Sequence, residues 1–359
     1  MILIENKGVK MGNENKKIYY LEVFKINYYT AGSKARNDCD NIFKKLQMKK
    51  IKISHLFLNK FSKNFIYKLI DQSVSLLLNL KFLFNKNSLI FLQFPLQKKW
   101  ANIFFYNIKN IQIILIIHDL EGLRFKSQEL LNKEIEILNK SKYIISHNKK
   151  MTEILVKHGI GKNKIKNLYI FDYILENNDK RINEIKTSDI CFAGNLEKSL
   201  FIYKLRELKN IKIDIFGINY QKEKNQEDFN YCGAYPPNEI HKKLTGKYGL
   251  IWDGDSLNEC NGVYGEYLKY NNPHKLSLYI AAGLPVITWK KAAIAEFIEK
   301  ENIGITVNSL YELEKTLVYV SEEEYANKVS NVMRIREKII KGDILTEIIK
   351  KILIEEKNE

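Results

Sequence analysis

Cysteine is scarce along this chain of 359 residues, and what there is does not pair. Cys39, Cys191, Cys232 and Cys260 stand far apart, with no C-x-x-C spacing and no nearby histidine cluster. That pattern excludes a disulfide framework and a recognisable zinc site, and it fits a reducing compartment. Long apolar runs are also missing. Leu76–Phe84 is interrupted by Lys81, and Ile111–Ile117 is bounded by polar residues. Both fall far short of the roughly 20 residues that cross a bilayer, so no transmembrane helix is expected. The first residues, Met1-Ile2-Leu3-Ile4, run directly into Glu5, Asn6 and Lys7, which leaves no apolar core of signal-peptide length. No Arg-rich helix, zinc finger or glycine-aromatic RNA-binding signature occurs, so nucleic acid is not an expected partner.

What is present is apolar residue, lysine and a strong asymmetry of charge. The 45% apolar and 12% aromatic content is enough to fill two cores at this length. Residues 1–175 hold 31 Lys and Arg against 13 Asp and Glu, an excess of +18, while the remainder is close to neutral. An anionic surface such as a membrane leaflet or a lipid-pyrophosphate acceptor would suit that half. A chain rich in Lys, Ile and Asn also has lysine as its common surface residue, and composition alone accounts for the excess equally well.

Short apolar runs alternate with longer amphipathic ones, the pattern of parallel sheets covered by helices. Strands are expected at 18–24, 89–94, 111–117 and 143–146, then at 189–195, 211–216, 249–252 and 285–289. Helices are expected at 37–47, 273–282 and 294–299, with further helices from Glu322. A polar stretch after Tyr173 sets the boundary. The expected fold class is therefore α/β, with two Rossmann-like domains facing a central cleft: 1–180, 181–335, and a helical tail over 336–359.

The densest signal runs from Tyr264 to Trp289. A glycine-containing loop leads to Asn272, Pro273, His274 and Lys275. Pro273 suits a first helical turn, and Asn272 can cap the free amides. The helix start, His274 and Lys275 together can hold a diphosphate. Gly194-Asn195-Leu196-Glu197-Lys198 follows the first strand of the second domain. Its backbone can approach a ligand there, and Lys198 can reach the same phosphate; an ordinary strand-to-helix turn reads the same way.

Asn272-Pro-His-Lys-Leu followed by Ala281-Ala-Gly-Leu-Pro-Val-Ile resembles the donor-diphosphate segment of GT-B glycosyltransferases. With it stand Ser33-Lys-Ala-Arg-Asn-Asp38, Ile117-His-Asp119, Ser146-His-Asn-Lys-Lys-Met151, Ile170-Phe-Asp-Tyr173, Phe192-Ala-Gly-Asn-Leu196 and Leu250-Ile-Trp-Asp-Gly254. In that order they resemble the bacterial family that includes β-1,6-galactofuranosyltransferases and the glucosyltransferase acting on GlcNAc-modified serine-rich-repeat adhesins. The resemblance covers about residues 18 to 310. It implies a UDP-sugar donor bound by the second domain, and a glycan, glycolipid or glycoprotein acceptor bound largely by the first. It also implies no metal and no further cofactor; the unpaired cysteines and the basic first half are what suggest a cytoplasmic enzyme, peripheral at the inner face of the plasma membrane. A homo-oligomer is open, as is a catalytically inactive GT-B-like partner or chaperone of a glycosylation complex. One departure stands out: the ribose-binding Glu of many retaining relatives is replaced by Leu278, which leaves Glu266 or Asp253 for that contact.

Transfer with inversion needs a group to take the acceptor's hydroxyl proton. Asp119 at a strand end is the candidate, with His118 orienting a hydroxyl or phosphate; Asp119 as a helix cap is the competing reading. Lys34 and Arg36, in an expected loop, are placed to read an acceptor pyrophosphate, with Asp38 as a helix cap. His147 and Asn148 are expected to line the cleft. Trp252 is expected to stack on the base, and Asp253 to bind a sugar hydroxyl.

Overall fold

The computed structural model describes residues 4–5, 8–9, 17–22, 31–51, 88–96, 104–105, 111–176, 182–222 and 230–358. The apolar run 76–84, the first residues of the chain, residues 23–24 and the polar stretch 177–181 lie outside them. A short antiparallel pair, β1 (Ile4–Glu5) and β2 (Gly8–Val9), precedes two six-stranded parallel sheets.

The first sheet contains β3 (Ile18–Leu21), β4 (Lys49–Ile51), β5 (Ser88–Phe94), β6 (Ile111–Ile117), β7 (Tyr143–Ser146) and β8 (Ile165–Asn167), in the order β4-β3-β5-β6-β7-β8. β5 is buried along its whole length, and its alternation is visible in the packing. Leu89 and Phe91 join one core layer, while Ile90, Leu92 and Phe94 join the other. Helices on both faces explain why the strand reads as a continuous apolar run. These include α1 (Ala31–Lys45), α2 (Glu121–Arg124), α3 (Gln128–Asn139) and α4 (Lys149–Lys157).

Helix α1 begins well before the expected residue 37. Ser33 to Asp38 are therefore helical rather than a loop, and a Lys34–Asp38 ion pair one turn apart supports that start.

The second sheet contains β9 (Ser188–Asn195), β10 (Ile213–Ile218), β11 (Asn230–Tyr231), β12 (Gly246–Ile251), β13 (Val286–Trp289) and β14 (Gly304–Val307), in the order β11-β10-β9-β12-β13-β14. Strand order reverses between β9 and β12, and ligands of open α/β sheets bind beyond the carboxyl ends of strands at such a point. Helices α5 (Gly262–Tyr267), α6 (His274–Ala281), α7 (Ala295–Lys300), α8 (Leu313–Val318) and α9 (Glu322–Ile339) belong to this half. The expected glycine loop at 262–267 is thus a short helix.

The chain passes between the sheets twice. On the way out, Leu168 and Phe171 sit in the first core, and Ile170, Tyr173 and Leu175 in the second. On the way back it turns at Gly342 (φ +80°) into α10 (Asp343–Asn358). Leu345, Ile348, Ile349, Ile352 and Leu353 of α10 then pack with Ile42, Phe43 and Leu89 of the first domain. Asp172 joins the two passages, since its carboxylate accepts the N–H groups of Ile344 (3.1 Å) and Leu345 (2.8 Å). Among the described residues no helix is long and apolar enough to cross a membrane.

Candidate active site

A cavity of about 250 Å³ opens at the reversal point of the second sheet, lined by Gly194 and Asn195 of β9 and Gly217 of β10. The two strands are in register, Gly194 opposite Gly217. Gly217 has φ +148°, and a Cβ there would lie 1.9 Å from the Gly194 carbonyl oxygen, so only glycine lets the strand ends come this close. His274, Lys275 and Leu278 of α6 form another wall, and Lys34 of α1 closes the cavity from the first domain.

Three lysines reach this space in different states. Lys275 Nζ bonds Asp253 Oδ1 at 2.7 Å and lies 4.8 Å from the Phe192 ring centre. Lys34 Nζ bonds Asp38 at 2.6 Å and the Ile174 carbonyl at 2.8 Å. Lys198 sits over the Tyr264 ring at 4.7 Å, with no carboxylate in ion-pair range among the described residues. Pro273 precedes the helix as its N-cap residue and offers no side-chain cap to the α6 amides. His274 is held far down, at about 3, because burial penalises its charged form and Lys34 repels it. It is a neutral ring, and its Nε2 is buried without a hydrogen-bond partner. Among the described residues no acidic side chain lines the cavity, and Leu278 is part of its wall.

The second cluster lies at the carboxyl edge of the first sheet. His118 Nε2 donates to Gln93 Oε1 at 2.7 Å, and Gln93 Nε2 donates to Asp40 Oδ1 at 2.8 Å. Burial first, then Arg36, push the His118 pKa well down, so the ring is neutral. Asp119 is ion-paired to Arg124, and 31% of its side chain is exposed. Burial raises its pKa, while Arg124 and Arg36 oppose the rise. The turn that follows is held by Glu134, whose carboxylate accepts the N–H groups of Glu121 (2.8 Å) and Gly122 (2.9 Å).

Residues 17–170 match the glucosyltransferase 3-like N-terminal domain, and residues 190–352 the corresponding C-terminal domain. Over 342 residues the chain is 33% identical to the β-1,6-galactofuranosyltransferase WbbI of Escherichia coli K12, covering 94% of this chain and 98% of the relative. The chain belongs to the glucosyltransferase 3-like glycosyltransferases. Within that family it is 29% identical over 231 residues to glucosyltransferase 3 of Streptococcus gordonii, covering 63% of this chain and 66% of that one. The structure of Anabaena HepE in complex with UDP-glucose superimposes with a TM-score of 0.57 at 13% identity, covering 94% of this chain and 98% of that one. That likeness shows the fold, GT-B.

In this glucosyltransferase 3-like chain the cavity gathers Gly194, Asn195, Lys198, His274 and Lys275, as the sequence suggested. Other expected site residues are engaged elsewhere. His147 has both ring nitrogens occupied, by the Ile117 carbonyl (3.0 Å) and the Asn272 N–H (2.9 Å), so it has no free atom for an acceptor. Asn272 is not a cap: its amide bonds the His147 and Tyr169 carbonyls (2.7 and 2.8 Å), tying the domains together. Trp252 is fully buried, its Nε1 donating to the Ser256 carbonyl at 2.8 Å, and cannot stack on a base. Glu266 is paired with Lys269 and, across the domains, with Lys126, and does not line the cavity. Tyr264 stays outside the lining and meets it only through Lys198.

Arg36 points to the Gln93 and Pro95 carbonyls (3.2 and 3.4 Å), whereas Lys34 faces the cavity at the second domain. Asp38, rather than capping α1, accepts the Ile174 N–H at 3.0 Å. Sequence reasoning missed Gly217 and Gln93. Gly217 lies near the end of a strand opposite Gly194 and was legible as a glycine just after an expected strand, whereas Gln93 carries no local signature; Tyr173 figured only as part of a motif, and the structure adds that it lines the cavity.

Proposed function

We propose that the enzyme moves a hexosyl group, galactofuranosyl or glucosyl, from a UDP-sugar to a sugar hydroxyl of a cell-surface glycan or glycoprotein precursor, without a metal. The observation that carries this is the placing of Lys198, Lys275 and the start of α6 around one cavity, with no acidic side chain in its wall among the described residues. A helix start and two ammonium groups suit a diphosphate and offset the charge that develops on the departing UDP. With Leu278 where many relatives carry a carboxylate, the ribose hydroxyls are assigned to the Asn195 amide and backbone groups of the wall.

Asp119 takes the proton of the incoming hydroxyl, and its raised pKa makes it a stronger base than an exposed Asp. His118, neutral and fixed by Gln93, orients that hydroxyl. The excess of basic residues in 1–175 supports a cytoplasmic enzyme working against an anionic inner leaflet.

Calorimetric titration with UDP, UDP-galactofuranose and UDP-glucose, with and without EDTA, tests the reading. Binding that survives the chelator is the expected result. Loss of binding in EDTA would remove metal independence, and no heat with any uridine nucleotide would sink the donor assignment.

A further inference from the structure

We propose that Tyr267, on helix α5 of the nucleotide-binding half, is a positioning residue for the Asp119 carboxylate in the other half. This rests on the reading of Asp119 as the base.

Tyr267 is buried and touches the Asp119 segment twice. Its hydroxyl oxygen accepts the N–H of Leu120 at 2.8 Å. Leu120 is fully buried at the N-cap position of α2, so without the tyrosine hydroxyl its N–H would be a buried donor in need of a partner. The Tyr267 ring also lies under the Arg124 guanidinium, 4.9 Å from centroid to Cζ. Arg124 Nε is buried without a hydrogen-bond partner, and the guanidinium's Nη2 is the atom that holds Asp119. Its direction therefore depends on the carboxylate at one end and the tyrosine face beneath it.

The first domain's own restraint on this segment, Glu134, grips Glu121 and Gly122 and does not reach Arg124 or Asp119 by hydrogen bond. The residue next to Tyr267, Glu266, adds a second cross-domain contact at Lys126, 3.8 Å away. Helix α5 lies just before His274 and Lys275 of the cavity wall, so one short segment serves both sites. The carboxylate's orientation is thus tied to the seating of the nucleotide-binding half against the first domain, and a base correctly aimed only in that arrangement would limit transfer to the assembled cleft.

The charged and titratable groups facing Asp119 are Arg124, Arg36, Glu121, Glu134 and Tyr267. Arg124 and Arg36 pull its pKa down, and loosening Arg124 removes part of that pull. The acid limb of kcat then moves to higher pH, because the base is ionised only above a higher pKa.

The test compares Tyr267→Phe, which keeps the ring, with Tyr267→Leu, which loses ring and hydroxyl, and with Asp119→Asn. The measurements are kcat, KM for the donor, UDP affinity, and the pH profile of kcat. Expected are a several-fold lower kcat for the Phe variant and a drop of roughly 10- to 100-fold for the Leu variant, with UDP affinity unchanged in both. An upward shift of the acid limb is expected in Tyr267→Leu, and largely absent in the Phe variant. If Tyr267→Leu does not fold, Arg124→Gln must show the same acid-limb shift and Tyr267→Phe the same loss in kcat. Wild-type activity in Asp119→Asn would remove the underlying reading. An inactive Asp119→Asn beside Tyr267 variants with unchanged kcat and pH profile would overturn this inference alone.

Discussion

Lys198 differs from the other cavity lysines in one respect: its ammonium meets an aromatic face instead of a carboxylate. Among the described residues it has no ion pair to break in turning onto a phosphate, whereas Lys275 is shared with Asp253. A charge-assisted hydrogen bond contributes about 1.5–3 kcal/mol, so Lys198→Ala is expected to weaken UDP binding by roughly 10- to 100-fold. Calorimetry checks the affinity, and an unchanged melting temperature checks that the fold is intact; equal UDP affinity in the variant would remove Lys198 from the site. The sequence exposed Lys198 and Lys275 because each follows a strand or helix boundary with its own local marks. His147, Glu266 and Trp252 were misassigned for a shared reason. Their partners are set by tertiary contact, as when Asn272 reaches His147 across 125 residues, and local pattern carries no information about that.

At the level of elements, strand cores were legible because burial on both faces writes a continuous apolar run, as in β5. Ends were not. Helix α1 starts six residues early, and that shift decides where Lys34 and Arg36 point. The start of α10 was invisible for another reason: its amides are held by Asp172, far away in sequence. Burial pushes the Asp172 carboxyl up to about 8, against the lowering effect of those two N–H groups. Its folded pKa lies above its unfolded value near 3.8. The folded state therefore keeps a proton that the unfolded chain has released, and this contribution falls as pH rises from about 4 to about 8. Asp172→Asn keeps an acceptor for the helix and has no proton to lose. Thermal midpoints of both proteins between pH 6 and 8.5 should diverge in favour of the Asn variant as pH rises. A constant difference would mean that Asp172 is charged throughout.

For the whole molecule, the two sheets are coupled by the chain crossing twice, and the second crossing completes the first domain. Five aliphatic side chains of α10 fill its core, at roughly 1.5–3 kcal/mol each, which is comparable to the total stability of a domain. Deleting residues 343–358 is expected to leave a protein that aggregates or melts far lower, with the loss falling on the first sheet; hydrogen exchange of β5 and β6 amides checks this, and protection equal to the intact chain would refute it. Alternating apolar and amphipathic segments announced two domains in tandem, and the helices from Glu322 onward were expected to include one that crosses back to the first domain; which helix does so, and that its aliphatic face fills the first core, is set by tertiary packing. During synthesis, the first domain's core emerges from the ribosome and then waits, one face uncovered, while the entire second domain is made. Folding from the N-terminus forward, the usual order for tandem domains, cannot finish here. The last layer of the first domain's core is supplied only when α10, the final helix of the chain, has been made.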